Sequence, residues 1–205
     1  MNLQEALKEI RSQKERKFDQ TVDLVINLSG VNLRKENISG VVNIPKPFKE
    51  KKVCAFFNEK SKVIDTITPA EFPKYKDKKA LKNLVNNYDY FIAIGPLMPS
   101  VASTFGKVLG PAGKMPSPQL GIIPKSDEEM IKGVLEKISK AVKVRIKEAS
   151  VKVGVGKESM KDEDLQNNIT SVYNGIIELL PNKKDSVKNV ILKTTMGKPV
   201  KIEVQ

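Results

Sequence analysis

The chain has no histidine in its 205 residues and a single cysteine, Cys54. Without imidazole there is no Ser-His-Asp or Cys-His nucleophile, no His-ligated zinc and no imidazole acid–base catalysis. One cysteine makes neither an internal disulfide nor a thiolate metal cluster. In Val53-Cys54-Ala55-Phe56-Phe57 it reads as a buried strand residue. No apolar run is long enough to span a bilayer, and the N-terminal stretch lacks the apolar core of a signal peptide. No membrane partner is expected, and the cytosol is the default location. Enzymes built on Lys, Asp or Glu stay formally open.

What the sequence has in excess is positive charge. Lys and Arg number 36 against 24 Asp and Glu, a formal net charge of +12 and a pI near 9.6. A polyanion is the economical partner, with rRNA, tRNA or DNA ahead of an anionic membrane. The lysines are scattered, and no helix is basic on one side and apolar on the other, which argues against a membrane-surface helix. A lysine surplus that reflects only the proteome is the alternative. Hydrophobic content of 40% and charged content of 29% describe a globular chain. Its length suits one large domain or two small ones.

Leu3, Leu7 and Ile10 at helical spacing predict an amphipathic helix over 2–16. Phe18, Gln20, Val22, Leu24, Ile26 and Leu28 then alternate with Asp19, Thr21, Asp23, Val25 and Asn27, a strand with one buried face. A second strand is expected over 38–44. The Pro- and Lys-rich segment Pro45–Lys52 reads as a connector and marks a domain boundary. Beyond it strands and helices alternate: Val53–Phe57, helix Lys78–Asn87, strand Tyr90–Ile94, helix Leu97–Leu109, a helix capped by Ser126 and reaching about Lys140, and strand Ala141–Lys147. The last block holds strand Val151–Val155, a capping box at Ser159–Asp162, and a helix from Leu165 to Leu180 stopped by Pro181. Strands then run from Val187 to Val204. The first and last blocks are each too small to bury a core, so they are expected to pair across the middle one.

Two Gly-Lys segments invite a nucleotide-binding reading and fail it. Gly113-Lys114 has Val108 where a P-loop needs its first glycine and Met115 where it needs Ser or Thr. That leaves a helix end followed by a rigid loop, with Lys107 and Lys114 available to RNA or a domain interface. Gly156-Lys157 has Val151 at the first glycine position. As a strand-to-helix turn, Gly154–Lys157 leaves two readings open, a phosphate held by backbone N–H groups or a solvated lysine. Asp127-Glu128-Glu129 and Asp162-Glu163-Asp164 sit in first helical turns, where the helix dipole accounts for them. The run Ile191–Ile202 reads as two short strands meeting at a Gly197 kink, with Pro199 removing a ladder donor. A basic kinked surface of that kind suits an RNA backbone, and an ordinary hairpin explains it equally well.

Four segments, in order, carry a resemblance: Lys17-Phe18-Asp19-Gln20-Thr21-Val22-Asp23, Leu109-Gly110-Pro111-Ala112-Gly113-Lys114-Met115-Pro116, Val153-Gly154-Val155-Gly156-Lys157 and Thr194-Thr195-Met196-Gly197. Together they resemble the L-one family of large-subunit ribosomal proteins over nearly the whole chain. The resemblance implies an α+β protein with an inserted α/β domain. A split terminal domain, a βαβ-type sandwich over 1–48 and 148–205, would be hinged to a Rossmann-like three-layer domain over 49–147. It also implies a non-enzymatic, ribosome-bound cytoplasmic protein that needs no cofactor or metal. Its partners would be the stalk junction of large-subunit rRNA, exit-site tRNA and its own mRNA, in the leader or coding region, whose translation it represses. Carried over by position, the RNA-binding residues are Lys17, Phe18, Thr21, Gly156, Lys157, Thr195, Met196 and Gly197. Lys198-Pro199, where bacterial members place Pro directly after Gly, and Gln20, where they commonly carry an acid, make the chain resemble the archaeal branch. Two other readings are a nucleotide-dependent enzyme in the inserted domain, which rests on fold analogy alone, and a basic scaffold without RNA specificity.

Overall fold

The computed structural model describes residues 1–13, 16–30, 38–61, 63–75, 77–124, 127–146, 148–181 and 183–203. In chain order the first elements are α1 (Leu3–Arg11), β1 (Thr21–Leu28), β2 (Ser39–Asn43), β3 (Val53–Phe56), β4 (Asp65–Ile67), α2 (Lys78–Asn87), β5 (Tyr90–Ile94) and α3 (Met98–Ala112). They are followed by β6 (Ile122–Ile123), α4 (Glu128–Lys140), β7 (Ala141–Arg145), β8 (Ser150–Lys157), α5 (Asp162–Leu179), β9 (Val187–Thr194) and β10 (Val200–Ile202). The fold mixes α and β, with antiparallel and parallel sheets in separate compact units: Met1–Lys49 with Lys140–Gln205, and Glu50–Ser139. The cap expected at Ser126 and the strand ends expected at Lys147 and Val204 lie outside the described residues.

In the first unit the sheet runs β10-β9-β1-β8. The N-terminal strand β1 lies between β8 and β9, antiparallel to both. Strands β8 and β9 therefore point the same way, joined by α5, and β1 fills the gap between them. The inward residues Val22, Leu24, Ile26 and Leu28 meet Val151, Val153, Val155, Val190 and Leu192 in one core with α1 and α5. Helix α5 supplies Leu165, Ile169, Val172, Tyr173, Ile176 and Ile177, the three–four spacing of a buried stripe. Asn168 lies on that stripe, fully buried. Its amide accepts from the Lys46 N–H at 3.0 Å and donates to the carbonyls of Lys46 and Val155, each at 2.9 Å. An amide satisfied at both ends is a tolerable core residue, and here it ties the start of the connector to β8 and α5.

Several expectations change on this frame. Phe18 is not on the buried face of β1; it precedes the strand and is 55% exposed. Segment 141–145, expected in the inserted block, pairs with β2 from Asn43↔Ala141 to Ser39↔Arg145 and so belongs to the first unit. Val144 and Ile146 join that unit's core. Gly154–Lys157 is not a turn but the end of β8, with Gly156 opposite Val22. No side-chain cap opens α5: its N-cap is Lys161, and the Ser159 hydroxyl is bonded to Asp19 instead. Arg11 serves the α5 N-terminus, reaching the Met160 carbonyl and Asp162, each at 2.6 Å. It places a cation beside an acidic first turn.

The second unit is a parallel sheet in the order β4-β3-β5-β6. Both faces are covered. Cys54, Phe56, Phe91 and Ala93 pack on α2 and α3, while Val53, Ala55, Ile92, Ile94 and Ile123 pack on α4 residues Ile131 and Ile138. Burial, with Asp65 and Glu71 nearby, pushes the Cys54 thiol up to about 12, which makes it a packing residue. Lys114 is spent on structure. Its ammonium donates to the Val85 and Tyr88 carbonyls at 2.7 and 2.8 Å, closing the C-terminal end of α2.

Helix α5 lies close on β2 because Gly175 has no side chain. A Cβ there would stand 2.5 Å from Val42 Cγ1 and 3.0 Å from Cγ2. Gly175→Ala should therefore lower stability by about 1–3 kcal/mol despite the better helix former. Adding Val42→Ala should recover part of that loss, with urea unfolding of both variants as the check.

Candidate nucleic-acid interface

Strands β9 and β10 form a hairpin in register Leu192↔Val200, leaving Thr195–Pro199 as its loop. The loop is fastened on both sides. From the β1 side, the Thr21 carbonyl accepts the Thr195 N–H at 3.0 Å and its hydroxyl at 3.2 Å. From the same side, the Gln20 amide oxygen accepts the Met196 N–H at 3.1 Å. From the α1 side, Gln13 accepts the Lys198 N–H at 2.6 Å and donates to the Lys198 carbonyl at 3.2 Å. The polar backbone of the loop is thus held by protein, while Met196 is left 62% exposed.

Gly197 is needed for room, since its φ is not in the left-handed region. A Cβ on it would collide with the Thr194 side chain and stand 2.6 Å from Gln13 Oε1. The missing side chain gives access to the Gln13 amide.

Segment 16–19 lies alongside. Asp19 accepts from the Ser159 N–H at 3.1 Å and the Ser159 hydroxyl at 2.9 Å, and Lys157 Nζ approaches it at 3.6 Å. Desolvation alone would raise the Asp19 pKa. The Ser159 hydrogen bonds and the Lys157 charge outweigh it and hold the carboxyl below its usual value. This clasp joins the entry to β1 to the turn after β8, and it sets Lys17 and Phe18 outward, both exposed. A cleft of about 350 Å³ lies among Gln20, Thr194, Met196, Lys198 and Arg16. A second, of about 370 Å³, lies among Arg16, Lys17, Phe18 and Glu158. Arg16 borders both clefts, and the strip around it carries the cations Arg16, Lys17 and Lys198, the carboxylates of Asp19 and Glu158, and the exposed apolar side chains Phe18 and Met196. On the outer sheet face, burial raises the Asp23 pKa against the opposing charge of Lys193.

Of the residues expected to bind RNA, Lys17 and Phe18 line one cleft and Met196 and Gly197 the other, while Lys157 and Thr195 stand beside them, engaged with Asp19 and Thr21. Thr21 is half-buried; it serves through its carbonyl and packs its methyl over Gly154, where a Cβ would lie 3.2 Å away. Gly156 is buried and faces inward. A Cβ there would strike Leu165 and stand 3.2 Å from Met160 Sδ, so this glycine lets α5 seat on β8. The Lys157 N–H points at Met160 Sδ at 3.4 Å, and its ammonium is engaged with Asp19. Residue-by-residue reading missed Gln13, Arg16 and Glu158, and gave Ser159 a capping role in place of its bond to Asp19. Gln20 carried a signal: it is the one polar residue in the inward set of β1, and a buried amide has to find partners.

Comparison with known proteins matches residues 7–198 to the Ribosomal protein L1p/L10e family. Large ribosomal subunit protein uL1 of Nanoarchaeum equitans is 34% identical over 206 residues, covering 96% of this chain and 97% of that protein. The protein of the same name from Thermococcus kodakarensis is 34% identical over 213 residues, 98% of this chain and 96% of its own. That from Pyrobaculum calidifontis is 35% identical over 205 residues, 95% and 89%.

Two outcomes are expected. Gly197→Ala should unseat Gln13 and cost about 1–3 kcal/mol in thermal or urea unfolding. The Asp19 clasp has a folded pKa below its unfolded one, so its contribution is complete above the ordinary carboxylate range. It is lost as pH falls through the lower folded value. An NMR titration of the Asp19 carboxyl carbon should show a midpoint below 3.8, and Ser159→Ala should move it upward.

Proposed function

The chain belongs to the Ribosomal protein L1p/L10e family, whose members are non-enzymatic ribosomal proteins, and we propose that it binds large-subunit rRNA directly through the strip formed by residues 16–18, 157 and 195–198. The observation that supports this placement is Met196, an exposed apolar side chain on a loop whose backbone is already held by Gln13, Gln20 and Thr21. Such a side chain adds nothing to the core of its own unit and is ready for a sugar or base face. Phe18 offers a second flat contact, which suits stacking on a splayed base. The Thr195 hydroxyl donates to Thr21 and keeps lone pairs for a ribose 2′-OH. Lys17, Arg16 and Lys198 serve phosphates.

Within the subunit the target is the folded junction of the stalk near the exit site for tRNA, which makes exit-site tRNA a passing partner. A similar fold in the protein's own mRNA is a second target, through which it represses its own translation from the cytoplasm. The terminal unit is the principal RNA binder, and the Rossmann-like inserted unit is its companion. Among the described residues no helix is long and apolar enough to cross a membrane.

Met196→Ala or Thr195→Val should weaken binding to the stalk junction by about 1–3 kcal/mol while leaving unrelated RNA untouched. Equal loss on both would defeat the site. If about five phosphates are neutralised, the log–log salt slope should be roughly −4. Footprinting on whole large-subunit rRNA should protect the junction, and protection elsewhere overturns the stalk assignment. A reporter carrying the protein's own leader should be repressed by wild type and released by Met196→Ala.

A further inference from the structure

The Gln20 side chain is 4% exposed and joins three segments. Met196 N–H is a donor, so only the amide oxygen of Gln20 can face it, at 3.1 Å. That fixes the orientation of the amide. Its Nε2 then donates to the Glu158 carboxylate at 3.2 Å. The backbone repeats the link, since the Glu158 N–H donates to the Gln20 carbonyl at 2.8 Å. One planar group thus sets the distance from the end of β8 to the loop that presents Met196.

We infer that Gln20 is the positioning residue for Met196, and that Gln20 and Glu158 form a matched amide–carboxylate pair in which the two positions accept one carboxylate and not two. The inference rests on the RNA-binding reading above and deepens it. A glutamate at 20 would still accept the Met196 N–H, yet it would face the Glu158 carboxylate at hydrogen-bond distance with no proton between them. The repulsion would act along the line that spaces β8 from the loop. Met196 would lose its position while its own chemistry stayed intact. Exchanging the two side chains, Gln20→Glu with Glu158→Gln, restores an amide donor and a carboxylate acceptor with the direction reversed, and leaves the Met196 acceptor in place.

The test compares wild type, Met196→Ala, Gln20→Glu and the double variant Gln20→Glu/Glu158→Gln. Each is measured against a stalk-junction transcript of the same organism's large-subunit rRNA and an unrelated RNA duplex of equal length, with the thermal midpoint of each protein. Gln20→Glu should bind the junction about tenfold to a hundredfold more weakly and the duplex as wild type does. The double variant should return to within about twofold of wild type on the junction. A merely structural role would lower the thermal midpoint and weaken both RNAs together, which overturns the inference. So does Gln20→Glu binding the junction like wild type while Met196→Ala does not, or a double variant as weak as Gln20→Glu. If Met196→Ala also binds normally, the RNA site itself falls and the inference with it. Should Gln20→Glu not fold, the double variant decides alone: junction binding near wild type supports the inference, and a double variant that fails to bind or to fold overturns it.

Discussion

The terminal unit depends on the pairing of β1 with strands from the far end of the chain. Residues 21–28 have β8 on one side and β9 on the other, and neither neighbour is local in sequence. Without β1 the parallel-running β8 and β9 would face each other across an empty gap, and α5 would cover half a sheet. With it, the inward side chains of three strands close over α1 and α5 as one core. The candidate surface follows from the same pairing. The loop after β9 is anchored by the Thr21 carbonyl and the Gln20 amide at the entry to β1, while the turn after β8 is anchored by Asp19 just before it.

In the strip that results the loop backbone donates its N–H groups within the protein, while the Phe18 and Met196 side chains stay exposed. Of the four backbone N–H groups of residues 195–198, three donate to Thr21, Gln20 and Gln13, and the fourth, of Gly197, donates to the Thr194 carbonyl. What remains for a ligand is an apolar tip, an aromatic ring, spare hydroxyl lone pairs and cations. That division suits recognition of a folded nucleic acid, where phosphate contacts set register and apolar faces meet unstacked bases. It also separates two kinds of residue that sequence reading merges: those that touch the ligand and those that hold the ones that do.

Much of the architecture was legible because its physics is local. Helix Lys78–Asn87 shows its period, strand Tyr90–Ile94 shows as a short unbroken apolar run, and the alternation from Val22 to Leu28 announces its buried face. Strands β4 and β6 have only three and two residues, too few to show any period, and neither was expected. Gly154–Lys157 looked like a turn because glycines there suggest one. Its real reason is contact: Gly154 makes room for Thr21 and Gly156 for Leu165, partners that no spacing rule reveals. Met196 and Thr195 stand in a motif, as does Gln20, yet the Gln13 amide that holds the same loop does not. Gln13 and Glu158 look like any solvated polar residue until the chain has folded.

The central place of β1 also has a consequence for biosynthesis. Thr195 bonds to Thr21 across 174 residues of sequence, so the contact cannot form until nearly all of the described chain has been made. The inserted unit draws every one of its strands from residues 53–123 and meets its partners much earlier. Until β8 emerges from the translating ribosome, β1 stands with both edges bare, a state that invites pairing with the wrong neighbour. The strip proposed to hold RNA is therefore among the last surfaces to exist, and a nascent chain cannot occupy its target before its own synthesis is almost done.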